Sequence, residues 1–188
     1  MQKRFSVLLL VIVSIFIPLT VTAQQETTTD TRLSQAVSDQ QLTLDEATKA
    51  LITAKCTTAQ QQIVKLKDKT GRQVKLRMDT YSDIQKELQA IKLRMGRQGI
   101  DASEIDLLIG KIQQHLDSFT TASNSYITTL QDIATVDCAQ KPEQFEAGLV
   151  LARGTQAQLF KEANSLKSTL NTADTSTFNQ LKKRLTVQ

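Results

Sequence analysis

The sequence predicts an all-α protein: an elongated antiparallel bundle of three coiled-coil-like helices, closed by one disulfide, with a fourth short helix at the C-terminus. Two observations carry that prediction. Only six of 188 residues are Gly and two are Pro, and aromatic residues make up 4% with no Trp. So few turn formers argue against a sandwich or barrel of many short strands. Apolar residues also recur at steps of three and four along most of the chain after residue 43, which marks one face of a helix. The hydrophobic fraction of 40% separates the chain from disordered sequences, and its length suits one domain.

Residues 1–23 read as a secretory signal. Lys3 and Arg4 form a positive start, Phe5–Leu19 is uncharged and apolar, Pro18 would break a helix, and Val21-Thr22-Ala23 offers small residues for cleavage. The competing reading is an uncleaved membrane anchor, but its apolar run of about 15 residues is short of the roughly 20 that a bilayer requires. The expected location is therefore the cell envelope or the extracellular space. Cleavage after Ala23 lowers the net charge from +4 to +2, because Lys3 and Arg4 leave and no acid does. In an exported chain the two cysteines, Cys56 and Cys138, should pair.

Residues 24–42 are polar and Thr-rich, and suit a flexible leader of about ten residues before a short periodic stretch at Leu33, Ala36 and Val37. Thr43-Leu-Asp-Glu46 has the form of a capping box and opens a first long helix over 43–96. Its stripe runs from Ile52 through Cys56, Ile63, Thr70, Met78, Ile84, Leu88 and Ile91 to Met95. Gly71 lies inside it, where Gly costs about 1 kcal/mol relative to Ala and a local bend is expected. Gly96 and Gly99 supply the termination. Asp101, with Glu104 three residues on, caps a second helix over 101–137, whose stripe includes Ile105, Ile112, Phe119, Tyr126 and Ile133. Pro142 suits the first turn of a third helix over 142–170, with Glu143 and Glu146 near its positive end. Phe145, Leu149, Ala152, Gln156, Leu159, Ala163, Leu166 and Leu170 then alternate steps of four and three, a coiled-coil-like seam. Asn171–Thr177 reads as a break before an amphipathic tail, 171–188, carrying Phe178, Leu181 and Leu185.

Short connections force neighbouring helices to run antiparallel. With the first turn centred near residue 97.5, facing residues should sum to about 195, and Cys56 and Cys138 sum to 194. The spacing thus sets the cysteines level at the base of the hairpin. Charge agrees: residues 43–98 carry 12 Lys/Arg against 6 Asp/Glu, whereas residues 101–137 carry one Lys against six acids. The third helix spans about 29 residues and cannot cover the first. Unless the tail continues to the tip, Ile84, Leu88 and Ile91 stay partly exposed.

Chemistry finds no foothold. His115 is the only histidine, too few ligands for a tetrahedral metal site once the cysteines pair. It also sits on a helix far from any nucleophile elbow. Gly110-Lys111 has Ile105 where a phosphate loop needs Gly. No enzyme activity and no cofactor are expected. The basic cluster Lys65, Lys67, Lys69, Arg72, Lys75 and Arg77 is spread around its helix with no interleaved aromatics, which disfavours nucleic acid. It reads first as a solvated face paired with the acidic helix, and second as an anionic-polymer contact. Lys182, Lys183 and Arg184, among the apolar residues of the tail, could contact an anionic membrane surface or envelope polymer.

In being basic, helical and signal-bearing, the chain is similar to small exported helical chaperones of the bacterial envelope. It lacks the Leu-Thr-x-x-Gln repeat of one such type and the strand-forming N-terminus of another, so the likeness carries no residue across. The expectation is a non-enzymatic structural or interaction module that binds a protein partner or itself. Anionic-surface binding and a holdase role are the alternatives.

Overall fold

The computed structural model describes the backbone of residues 24–186 and the side chains of residues 29–171. The segment read as a signal lies outside the described residues. Four helices follow in order: α1 (Gln24–Gln40), α2 (Glu46–Arg97), α3 (Ser103–Thr135) and α4 (Pro142–Thr186), with no strand among the described residues. The all-α bundle is as expected. At 1.5 Å per residue, the 52 residues of α2 reach about 78 Å.

Each helix begins where local chemistry can satisfy its first amides. Asp45, not Thr43, is the N-cap of α2, accepting from the Thr48 amide at 2.7 Å. A carboxylate one residue before the helix does this better than a hydroxyl three residues before it. At the head of α3 the N-cap is Ala102, not the expected Asp101, and makes no side-chain cap bond, while Asp101 accepts from the Ser103 amide at 3.0 Å. Pro142 is the first residue of α4, as its fixed φ suits. At the tip Gly99 takes a positive φ of 67°, the left-handed step that ends α2. Gly71 introduces no break, since α2 continues through it.

α3 is the central helix. It packs along both α2 and α4, which barely touch each other, while α1 lies mainly against α4 at the base. The α2–α3 register can be read from side chains. Lys67 donates to Gln131 at 2.7 Å, Gln85 to Gln113 at 2.7 Å, Thr120 to the Met78 sulfur at 3.5 Å, and Lys92 pairs with Asp106. All four pairs sum to 198, three above expectation, because the turn lies later than expected, with α2 ending at Arg97 and α3 beginning at Ser103. Near the base the register slips as α3 ends at Thr135, and Gln60 reaches the Val136 carbonyl at 2.6 Å. There Cys56 and Cys138 stand at disulfide distance, with Cα atoms 5.7 Å apart and a sequence separation of 82. That separation is within the range a disulfide spans. Cys138 lies in the α3–α4 connection, beyond the helix end.

Two apolar clusters fill the bundle. The base cluster joins Leu33, Ile63, Phe119, Tyr126, Ile133 and Phe145, and the tip cluster joins Leu88, Met95, Ile105, Ile112, Leu116 and Leu166. Met78 packs against both.

Three expectations are corrected. Residues 24–40 form helix α1 throughout, not a flexible leader before a short helix. Tertiary contact stabilises what periodicity showed faintly: Leu33 is completely buried, and Gln40 donates to the Ala147 carbonyl at 3.3 Å. The break at Asn171–Thr177 does not occur, and α4 runs unbroken to Thr186, through a stretch without Gly or Pro. Leu166 and Leu170, within the span already read as the third helix, pack with the tip cluster, so Leu88 is buried while Ile84 and Ile91 stay partly exposed. The tip is a three-helix contact after all.

Gly148 explains how α1 gets so close. A Cβ built there would lie 2.7 Å from Ile133 Cγ1 and 3.2 Å from Leu33 Cδ2, so α1, α3 and α4 converge where a side chain is missing. Gly148→Ala is expected to destabilise the fold by about 1–3 kcal/mol through overpacking, although Ala normally favours a helix over Gly. Denaturant unfolding of the variant checks this. A gain in stability would show that α1 does not seat there.

Candidate functional site

Because α2 and α4 flank α3 and touch each other only sparsely, the seam above the middle of α3 stays open. It forms a cavity of about 160 Å³. Phe119 and Tyr126 of α3 make the floor, Leu66 and Val74 of α2 one wall, and Leu159 and Phe160 of α4 the other. Helical phase dictates this placement, since 66, 70, 74 and 77 share one face of α2, and 156, 159 and 160 one face of α4. Phe160 remains 55% exposed and Leu66 40% exposed. The cations Lys69 and Arg77 stand in the α2 wall, and no acid lines the cavity. Burial of the floor also pushes the Tyr126 hydroxyl above its usual pKa range.

A second, polar cleft of about 620 Å³ lies where α1 meets the end of α3 and the start of α4. Its centre is Asp132, a residue the sequence offered only as one acid among six. It is 3% exposed. Thr29 Oγ1 donates to Asp132 Oδ1 at 3.2 Å, and Arg32 Nη1 stands 2.9 Å from Oδ2 as an ion pair without hydrogen-bond alignment. Farther out, Lys141 and Gln144 bond the Asp30 carboxylate at 2.8 and 3.0 Å, and Gln144 also donates to Ser34 at 2.9 Å. The one available signal was that Asp132 sits beside Ile133 and two residues from Leu130, on the flank of the apolar stripe. These bonds hold α1 in place.

Burial pushes the Asp132 carboxyl above its ordinary 3.8, against the opposing pull of Arg32 and then Thr29. With the folded pKa above the unfolded one, the native state holds the extra proton. Asp132 therefore favours folding below about pH 3.8, and that contribution is lost as pH rises through the folded value. Asp30 and Glu143 behave oppositely. Their pKa values are lowered, chiefly by the Lys141 hydrogen bond and by a backbone amide bond respectively, and they favour folding above the ordinary carboxylate range. Arg32→Ala is expected to cost about 1.5–3 kcal/mol at pH 7, by stranding a buried carboxylate, and less at a pH below the ordinary 3.8, where the raised carboxyl is protonated. Denaturant melts at the two pH values check it. An equal loss at both would mean that the pair carries no charge energy.

The residues singled out from sequence are dispersed. Lys67 bonds Gln131, Lys75 pairs with Asp79 on its own helix, and Lys69 and Arg77 face the groove. The expected α2–α3 complementarity is seen in Lys92–Asp106, whereas Lys75 and Lys86 pair with acids within α2. His115 is half-buried on α3. Among the described residues no group of three or more metal-ligating side chains gathers, and no helix is long and apolar enough to cross a membrane. Lys182, Lys183 and Arg184 belong to the last turns of α4, whose side chains lie outside the described residues. Periodicity showed which face of each helix is apolar, but not that α2 and α4 would stand apart, so the groove was not foreseen. No protein-family model matches this chain, and neither a curated protein nor a solved structure does.

Proposed function

We propose that the protein is an exported, non-enzymatic helical module that binds a protein partner through its open helix faces. The observation that carries this reading is the α2–α4 groove, where Phe160 and Leu66 present apolar surface beside a floor of Phe119 and Tyr126. Single exposed apolar residues are ordinary, but a concave cluster of them marks an interaction surface. Leu51, Leu76, Leu93 and Leu107 are also more than half exposed and extend the surface available to partners. The test is a photo-crosslinking amino acid at position 160, and another at Leu93 on a separate face, in the exporting cell. A discrete protein adduct from either position supports the reading. No adduct at any exposed position, with strict monomer behaviour in light scattering, overturns it.

A further inference from the structure

Resting on that reading, we infer that the α2–α4 groove receives an amphipathic helix of a partner protein whose apolar stripe is flanked by carboxylates. Three observations lead there. The walls repeat at helical spacing: Leu66, Val74 and Arg77 on α2 face Leu159 and Phe160 on α4. The groove thus runs about three turns along the bundle, the footprint of a helix laid against two others. Its cavity of about 160 Å³ is the size of one large apolar anchor, as helix-in-groove recognition uses.

Charge then selects the partner. Lys69 and Arg77 stand in the α2 wall. On α4, Arg153 and Lys167 lie seven residues to either side of Phe160, on the same exposed stripe. None of these four cations is in an ion pair with a described residue. The acids that share these helix faces, Glu146 and Glu87, fall toward the two ends of the groove. A positive rim around an apolar floor steers and holds a segment of opposite charge. Among the described residues, the acid-rich helix of a second copy does not supply it. The acid-rich helix α3 has its apolar stripe buried between α2 and α4. A bilayer is flat and does not reach a floor recessed between two helices.

The test uses the oxidised mature protein and labelled peptides of about four helical turns, read by fluorescence anisotropy over a salt series. One peptide carries a Leu stripe flanked by Glu, a second has Lys in place of Glu, and a third scrambles the first so that no stripe forms. Saturable binding of the first alone is expected, weakened about tenfold or more in Lys69→Glu/Arg77→Glu, and weakened in Phe160→Ser without much change in salt dependence. All three positions lie on the groove wall outside the packed core, and circular dichroism melts confirm that the variants fold. Equal binding of the Lys or scrambled peptide, or unchanged binding by the charge-reversed variant, overturns the inference. So does binding to phosphatidylglycerol vesicles that the same reversal abolishes, since the rim would then serve lipid. A crosslinked partner at Leu93 with no peptide bound in the groove would sink this inference alone. No adduct at any face would sink the broader reading.

Discussion

Reduction of the oxidised protein, or Cys56→Ser, is expected to remove on the order of 4–5 kcal/mol of stability, the chain-entropy value for a closed loop of this length. The figure follows from the sequence separation of 82 between Cys56 and Cys138. The loss should be large in effect because native domains hold only about 5–15 kcal/mol in all. The bridge ties α2 to the α3–α4 connection at the base, the end where α3 has already finished. Without it α2 keeps its contacts at Met78, Tyr81 and Leu88 toward the tip, and its first turns are freed. Mass spectrometry should find the oxidised protein two hydrogens lighter than the dithiol. Denaturant unfolding with and without reductant then measures the loss. Two free thiols on the folded chain would remove both the bridge and its contribution.

A loss of similar size is expected from Phe119→Ala, about 3–5 kcal/mol. Phe119 is 1% exposed, and its ring meets Tyr81 edge-on, with centroids 6.3 Å apart and planes at 89°. Phe119 belongs to the base cluster and Tyr81 packs against the tip cluster, so the pair joins the two. Removing the ring opens a cavity at that junction and takes away one of the two rings of the groove floor, leaving Tyr126. Stability should fall in chemical denaturation even where helix content at 20 °C, by circular dichroism, stays near that of the parent. A cost below about 1 kcal/mol would mean that the site collapses freely and that the clusters are not mechanically joined.

What could be read from sequence was whatever depended on one helix or on two joined by a short turn. The α2–α3 hairpin and its register to within three residues follow from stripe phase and turn position, whereas the cysteines meet because the register slips beyond the end of α3. The misses are tertiary. α1 has few apolar residues, and its helix persists because Leu33 enters a notch that Gly148 leaves open and Arg32 meets Asp132. Neither circumstance is visible in the local pattern of residues 24–40. The continuation of α4 past Asn171 was missed because polar residues read as a break, although nothing there prevents a helix. The groove was missed for a further reason. A stripe says which side of a helix is buried, and the separation of the outer two helices depends on how all three gather.

The position of α1 has a consequence for the order in which the molecule can be assembled. A polypeptide is made from its N-terminus, so each of α2, α3 and α4 meets its main partner as the next helix arrives. α1 does not. Its bonds to Ala147, Lys141 and Gln144 span 107 to 114 residues, and its seat is built mostly from α4. The first helix synthesised is thus the last that can dock. A chain cut short before α4 would carry α1 with no place to rest, and would leave one flank of the α3 stripe bare. Seating of α1 therefore marks a chain finished through α4.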